Sequence, residues 1–177
     1  MALATALALG GFCSSWAQEI ELEYKLKAAF LYNFLKFTQF PADKYTPPEP
    51  AMVVGCLADD SAAPQFARAL EGKKINGLPI KFVALQDGDD PRSCHLLFIS
   101  RNRKAQIEET LARLKHAPVL TVSETDQFAQ RGGMINFVRH ERTFRFEINL
   151  EAADRAHLRI SSDISSMATV IKSQPSK

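Results

Sequence analysis

Residues 96–99 read Leu-Leu-Phe-Ile and are apolar at every position. Successive side chains of a strand point to opposite faces, so a strand of this composition has to be buried on both. A parallel sheet with helices on each side meets that demand; an antiparallel sheet with one wet face would alternate instead. Two similar runs, "AMVVGCLA" at 51–58 and "APVLTVS" at 117–123, bracket it. Between them lie "APQFARALEG" at 63–72, with apolar residues at helical spacing and Gly72 as a C-terminal stop, and "RKAQIEETLARLKH" at 103–116. "GLPIKFVAL" at 77–85 adds a further strand. The pattern predicts an α/β fold: one domain, a largely parallel sheet flanked by helices.

Two segments frame this alternation. "EYKLKAAFLYNFLKFTQFP" at 23–41 repeats apolar residues at helical spacing (Leu26, Ala29, Phe30, Phe34, Phe37) and stops before Pro41. It predicts a buried amphipathic helix, and Lys25, Lys27 and Lys36 exclude a membrane span. Near the other end, "MINFV" and "FRFEINL" flank "RHERT", and Phe144, Phe146, Ile148 and Leu150 alternate with Arg145, Glu147 and Asn149. That is a C-terminal β-hairpin with one wet face. Before it, "SETDQFAQRG" predicts a helix capped by Ser123 and ended by Gly132 and Gly133, which turn the chain into the hairpin. A phosphate-cradling loop is the poorer reading, because such loops follow a strand and open a helix. After the hairpin come a short helix in "LEAADRAHL" and a closing helix in "RISSDISSMATVI", capped by Ser161 or Ser162.

Composition removes several function classes. With 177 residues, 46% hydrophobic and a net charge of +2, the chain can bury a real core, but it lacks the basic excess of a nucleic-acid binder or a polybasic membrane surface. Residues 1–17 carry no charge and fit a secretory segment cleaved after Ser15-Trp16-Ala17, leaving 18–177 as the mature domain, although a basic n-region is missing. Cleavage would also remove Cys13 and leave Cys56 and Cys94 in an oxidising compartment. A bond between them would close a loop of about 38 residues and contribute roughly 3 to 4 kcal/mol. Two reduced, buried thiols in a cytosolic protein are the alternative.

No nucleophile elbow, P-loop, dinucleotide fingerprint or HExxH pair occurs, so no catalytic residue, metal or cofactor is expected. His95, His116, His140 and His157 are dispersed, and Asp87, Asp89 and Asp90 lack the spacing of a calcium loop and read as a solvated turn.

Taken in order, "EYKLKAAFLYNFLKFTQFP", "RGGMINFV" and "RFEINLEAADRAHLRISS", with the cysteine pair between, resemble the YfiR family of small secreted proteins over residues 23–167. The resemblance implies a periplasmic regulator that binds the periplasmic sensor domain of an inner-membrane diguanylate cyclase and inhibits it, lowering cyclic-di-GMP and biofilm formation. It implies an α/β domain that forms homodimers, with no nucleic acid and no membrane insertion. Cys56 and Cys94 match the family's disulfide; a second pair found in some relatives has no counterpart here. Partner contacts in the family lie in the C-terminal third, which points to Phe137, Arg145, Glu147, Glu151, Asp154 and His157. The competing class is a periplasmic small-molecule receptor or enzyme with its pocket at the carboxyl ends of the parallel strands.

Overall fold

The computed structural model describes residues 12–45, 50–58, 62–141 and 143–173, with backbone alone at 12–17. Helix α1 (Phe12–Lys36) is followed by β1 (Thr38–Gln39), β2 (Met52–Leu57), α2 (Ala62–Leu70), β3 (Lys74–Ile75) and β4 (Leu78–Ala84). Then come β5 (Leu96–Ile99), α3 (Ile107–Leu114), β6 (Leu120–Ser123), β7 (Ile135–His140) and β8 (Thr143–Ile148). The chain closes with α4 (Leu150–Arg155), β9 (Arg159–Ile160), α5 (Ser162–Ser165) and β10 (Thr169–Val170).

Eight strands form one sheet in the order β10-β8-β7-β6-β5-β2-β4-β3, and β1 pairs with β9 in a small second sheet. The central five, β4-β2-β5-β6-β7, are mutually parallel. Renumbered along the chain, their order is 2-1-3-4-5, the doubly wound arrangement in which chain direction across the sheet reverses between β2 and β5.

The two-faced burial inferred for residues 96–99 is realised. Leu96 and Phe98 join the core on the side of α1 and α2, while Leu97 and Ile99 join the core on the side of α3, and all four are fully buried. The first core carries most of the aromatic mass: the Phe66 ring stacks edge-on to Phe98 at 4.8 Å, and Phe34 to Phe146 at 5.3 Å. Edge-to-face pairs of this kind add to area burial because the positive ring edge meets a negative face.

Several elements differ from expectation. α1 begins at Phe12 rather than near residue 23, and runs through the expected cleavage position; residues 1–11 of the expected secretory segment lie outside the described residues. Residues 124–134 form successive turns, not a helix. Ser123 is no cap: it is the last residue of β6, its hydroxyl donates to the Ile99 carbonyl at 2.7 Å, and it accepts from the Thr125 amide at 3.2 Å. Two glycines make these turns possible in different ways. Gly132 takes φ +99°, the left-handed region; Gly133 lies against the Phe128 ring, which a Cβ would strike. The closing helix shrinks to α5, capped by the Ser161 hydroxyl, and Thr169–Val170 instead add an edge strand parallel to β8. β3 went unread, although Asn76-Gly77, both at positive φ, is the residue pair a tight hairpin turn demands.

Candidate functional site

Both cysteines are buried and are not bonded to each other: the register of β2 sets them on opposite faces of the sheet, against the expected Cys56–Cys94 disulfide. Cys56 packs in the core beside α1, Cys94 in the core beside α3. The Cys94 sulfur fills the space left by the missing side chain of Gly55, where an added Cβ would stand 2.5 Å from Sγ. Neighbouring side chains of a strand face opposite ways, so Cys56 points to the other side of the sheet and the thiols cannot meet without unpairing β2. Burial pushes the Cys94 thiol above its ordinary range, which leaves it a poor nucleophile.

The six residues expected to touch a partner divide. Phe137 is 3% exposed, with its ring 5.7 Å from Phe34, 5.9 Å from Phe30 and 6.1 Å from Phe144. It is core, and a correction is due: β7 turns outward only from Val138 onward. Arg145 is exposed and sits opposite Val138 in the hairpin register. Glu147 is half-buried and accepts from Asn136 Nδ2 at 3.2 Å and from Gln130 Nε2 at 3.4 Å, so the face expected to be wet is partly covered by the turns at 124–134. Glu151 is exposed on α4. Asp154 and His157, also exposed, border a cleft of about 490 Å3 with Phe40 and Pro41.

Lys27 was missed as anything but a charge. It is 1% exposed, with its ammonium 2.5 Å from Glu23 and 2.5 Å from Glu124 and 5.1 Å from the ring centres of Tyr24 and Phe144. The Glu23-x-x-x-Lys27 spacing is visible in the sequence. Glu124, which follows β6, is not. Arg139 reaches Glu23 at 3.8 Å, so the first half of α1 and the outer part of the hairpin share one end of the molecule. Leu22 and Leu26 of α1 stand exposed beside Glu23 at that end, whereas Val138 and Arg145, also exposed, lie on the hairpin face turned away from α1, because Phe137 and Phe146 at the alternate positions pack on Phe34.

His95 accepts from the Val53 amide through Nδ1 at 3.1 Å and packs against the Phe40 and Tyr45 rings. Burial, with the Lys44 charge nearby, lowers its pKa to about 4, so it is neutral at physiological pH. The aspartates at 87–90 are engaged as the solvated turn requires: Asp87 pairs with Arg103 at 2.7 Å and Asp90 with Arg92 at 2.9 Å. Among the described residues no group of three or more His, Cys, Asp or Glu could hold a metal, and no helix is long and apolar enough to cross a membrane.

The geometry thus defines a doubly wound α/β domain. The chain belongs to the YfiR/HmsC-like family, whose model matches residues 24–169. This is a family of periplasmic regulators of diguanylate cyclase signalling. The fold is similar to that of a conserved domain protein from Vibrio cholerae O1 biovar eltor, solved by crystallography, with a TM-score of 0.59 at 11% identity. The alignment covers 84% of this chain and 60% of that one. No curated protein matches the sequence.

Proposed function

We propose that this chain acts in the periplasm, processed before Gln18, and holds an inner-membrane diguanylate cyclase inactive by binding the cyclase's periplasmic domain. The contact runs through the end of the molecule shared by the outer hairpin and the first half of α1. One observation carries the reading: Leu22 and Leu26 are exposed one helical turn apart on α1 beside Glu23, which Arg139 of the hairpin reaches at 3.8 Å, an apolar anchor with a polar rim of the kind protein interfaces use. Family membership supports the choice of partner. Arg145, Glu147, Glu151, Asp154 and His157 remain proposed contacts outside this end, Asp154 and His157 at the cleft that follows the C-terminus of α1, and homodimer formation belongs to the same proposal. In cells, Leu26→Asp and Arg139→Ala should raise cyclic-di-GMP and weaken co-purification with the cyclase by about fivefold or more, with the thermal midpoint within about 2 °C of wild type. Unchanged cyclic-di-GMP with both variants folded would move the contact elsewhere.

A further inference from the structure

A cavity of about 270 Å3 opens at the carboxyl ends of β2 and β4, beside the point where the sheet reverses direction. Open α/β sheets bind ligands in this position because the chain ends there diverge to opposite faces and leave a crevice between them. The floor is apolar: Leu57, Leu85 and Leu97 line it, and none of them exceeds 8% exposure. One wall is a stripe of α3 and its leading turn, in which Gln106, Glu109, Thr110 and Arg113 follow at three- and four-residue steps and so share a face.

The charges around the mouth do not cancel. Asp87 is neutralised by Arg103 and also accepts from the Gln106 amide at 3.1 Å, and Asp90 is paired with Arg92. Arg113 is drawn aside, donating to the Asp89 carbonyl at 3.5 Å and lying 3.9 Å from the Asp90 carboxylate. Asp89 accepts the Gln86 amide at 2.8 Å but has no ion pair among the described residues, and Glu109 has neither ion pair nor hydrogen bond among them. Four carboxylates therefore face three guanidinium groups around a leucine floor, and the two with no ion pair among the described residues are Asp89 and Glu109. The geometry points to a binding site for a small organic cation: an apolar body on the leucines, an ammonium at Glu109 and Asp89. The volume lies just below the ~300 Å3 at which drug-sized pockets begin, which limits the body to about one aromatic ring.

The test uses the full chain and no cyclase, so it is independent of the proposed regulatory role. Phenethylamine is titrated and followed by amide chemical shifts, with 2-phenylethanol as the neutral probe of equal shape and 3-phenylpropanoate as the anionic one. The amine should saturate at millimolar concentration with shifts centred on Leu57, Leu85, Leu97 and Thr110, and the alcohol should bind at least about fivefold more weakly. Glu109→Gln, an exposed substitution, should erase that difference while leaving the amide spectrum of the free protein in place. Equal binding of amine and alcohol, unaltered amine binding in Glu109→Gln, preference for the anion, or no shifts at these residues at millimolar amine would each overturn the site.

Discussion

At the scale of one residue, the register of β2 decides the redox chemistry of the molecule. Cys56 and Cys94 are a sequence pair without being a spatial pair, because Gly55 rather than Cys56 faces the Cys94 sulfur. The thiol introduced by Gly55→Cys, in a Cys56→Ser background, should form the bond that the native pair does not. Intact mass should fall by two hydrogens on oxidation, and the oxidised form should unfold later than its reduced form, since closing a loop of roughly 40 residues contributes about 4 kcal/mol less strain. The chain processed before Gln18, which lacks Cys13, should by contrast bind two equivalents of alkylating reagent after denaturation without prior reduction. A native chain that takes up none would return Cys56 to the partner role.

Among elements, α1 is the one whose attachment depends on polar as well as apolar contacts. Ala28, Leu31, Phe34 and Leu35 bury its C-terminal part, whereas the turn just before them is held by the buried Lys27 between Glu23 and Glu124. Removing one partner from a buried ion pair leaves the other uncompensated, and that penalty exceeds what the pair itself contributes. Lys27→Met should therefore cost about 3 kcal/mol, while Lys25→Met, which breaks only the exposed pair to Glu21, should leave stability nearly unchanged. Urea unfolding of both variants checks this, and amide exchange should rise most between residues 18 and 27 in the first. The turns at 124–134 illustrate the opposite limit of local reasoning. Their sequence fits a helix, yet the Phe128 ring packed on Gly133 and the positive φ of Gly132 hold them in a non-repeating path.

For the whole molecule, His95 links stability to acidity. Its folded pKa of about 4 lies below the ordinary 6.5, so the unfolded chain takes the proton first. The stabilisation is complete above pH about 6.5 and declines as pH falls toward 4, by an amount on the order of 1 to 3 kcal/mol. His95→Gln keeps an acceptor for the Val53 amide without a titrating ring, and should flatten the stability curve between those pH values. Thermal midpoints at half-unit steps from pH 4 to 7 would show it, and parallel curves for the two proteins would assign the slope to other groups.

What the sequence alone determined is what depends on short stretches. The all-apolar run at 96–99 required a sheet buried on both faces, and the strands β2, β4, β5 and β6, the helices α1 to α4 and the hairpin β7–β8 follow from periodicity and turn residues within each segment. Tertiary structure decided everything that depends on which residues meet across strands. The side of the sheet each thiol occupies, the burial of Phe137, the partners of Lys27 and Glu147, and the two-residue strands β1, β9 and β10 all belong here. Period sets which side chains of one strand share a face, but only the pairing register sets what stands opposite them, and a shift of one residue exchanges the faces.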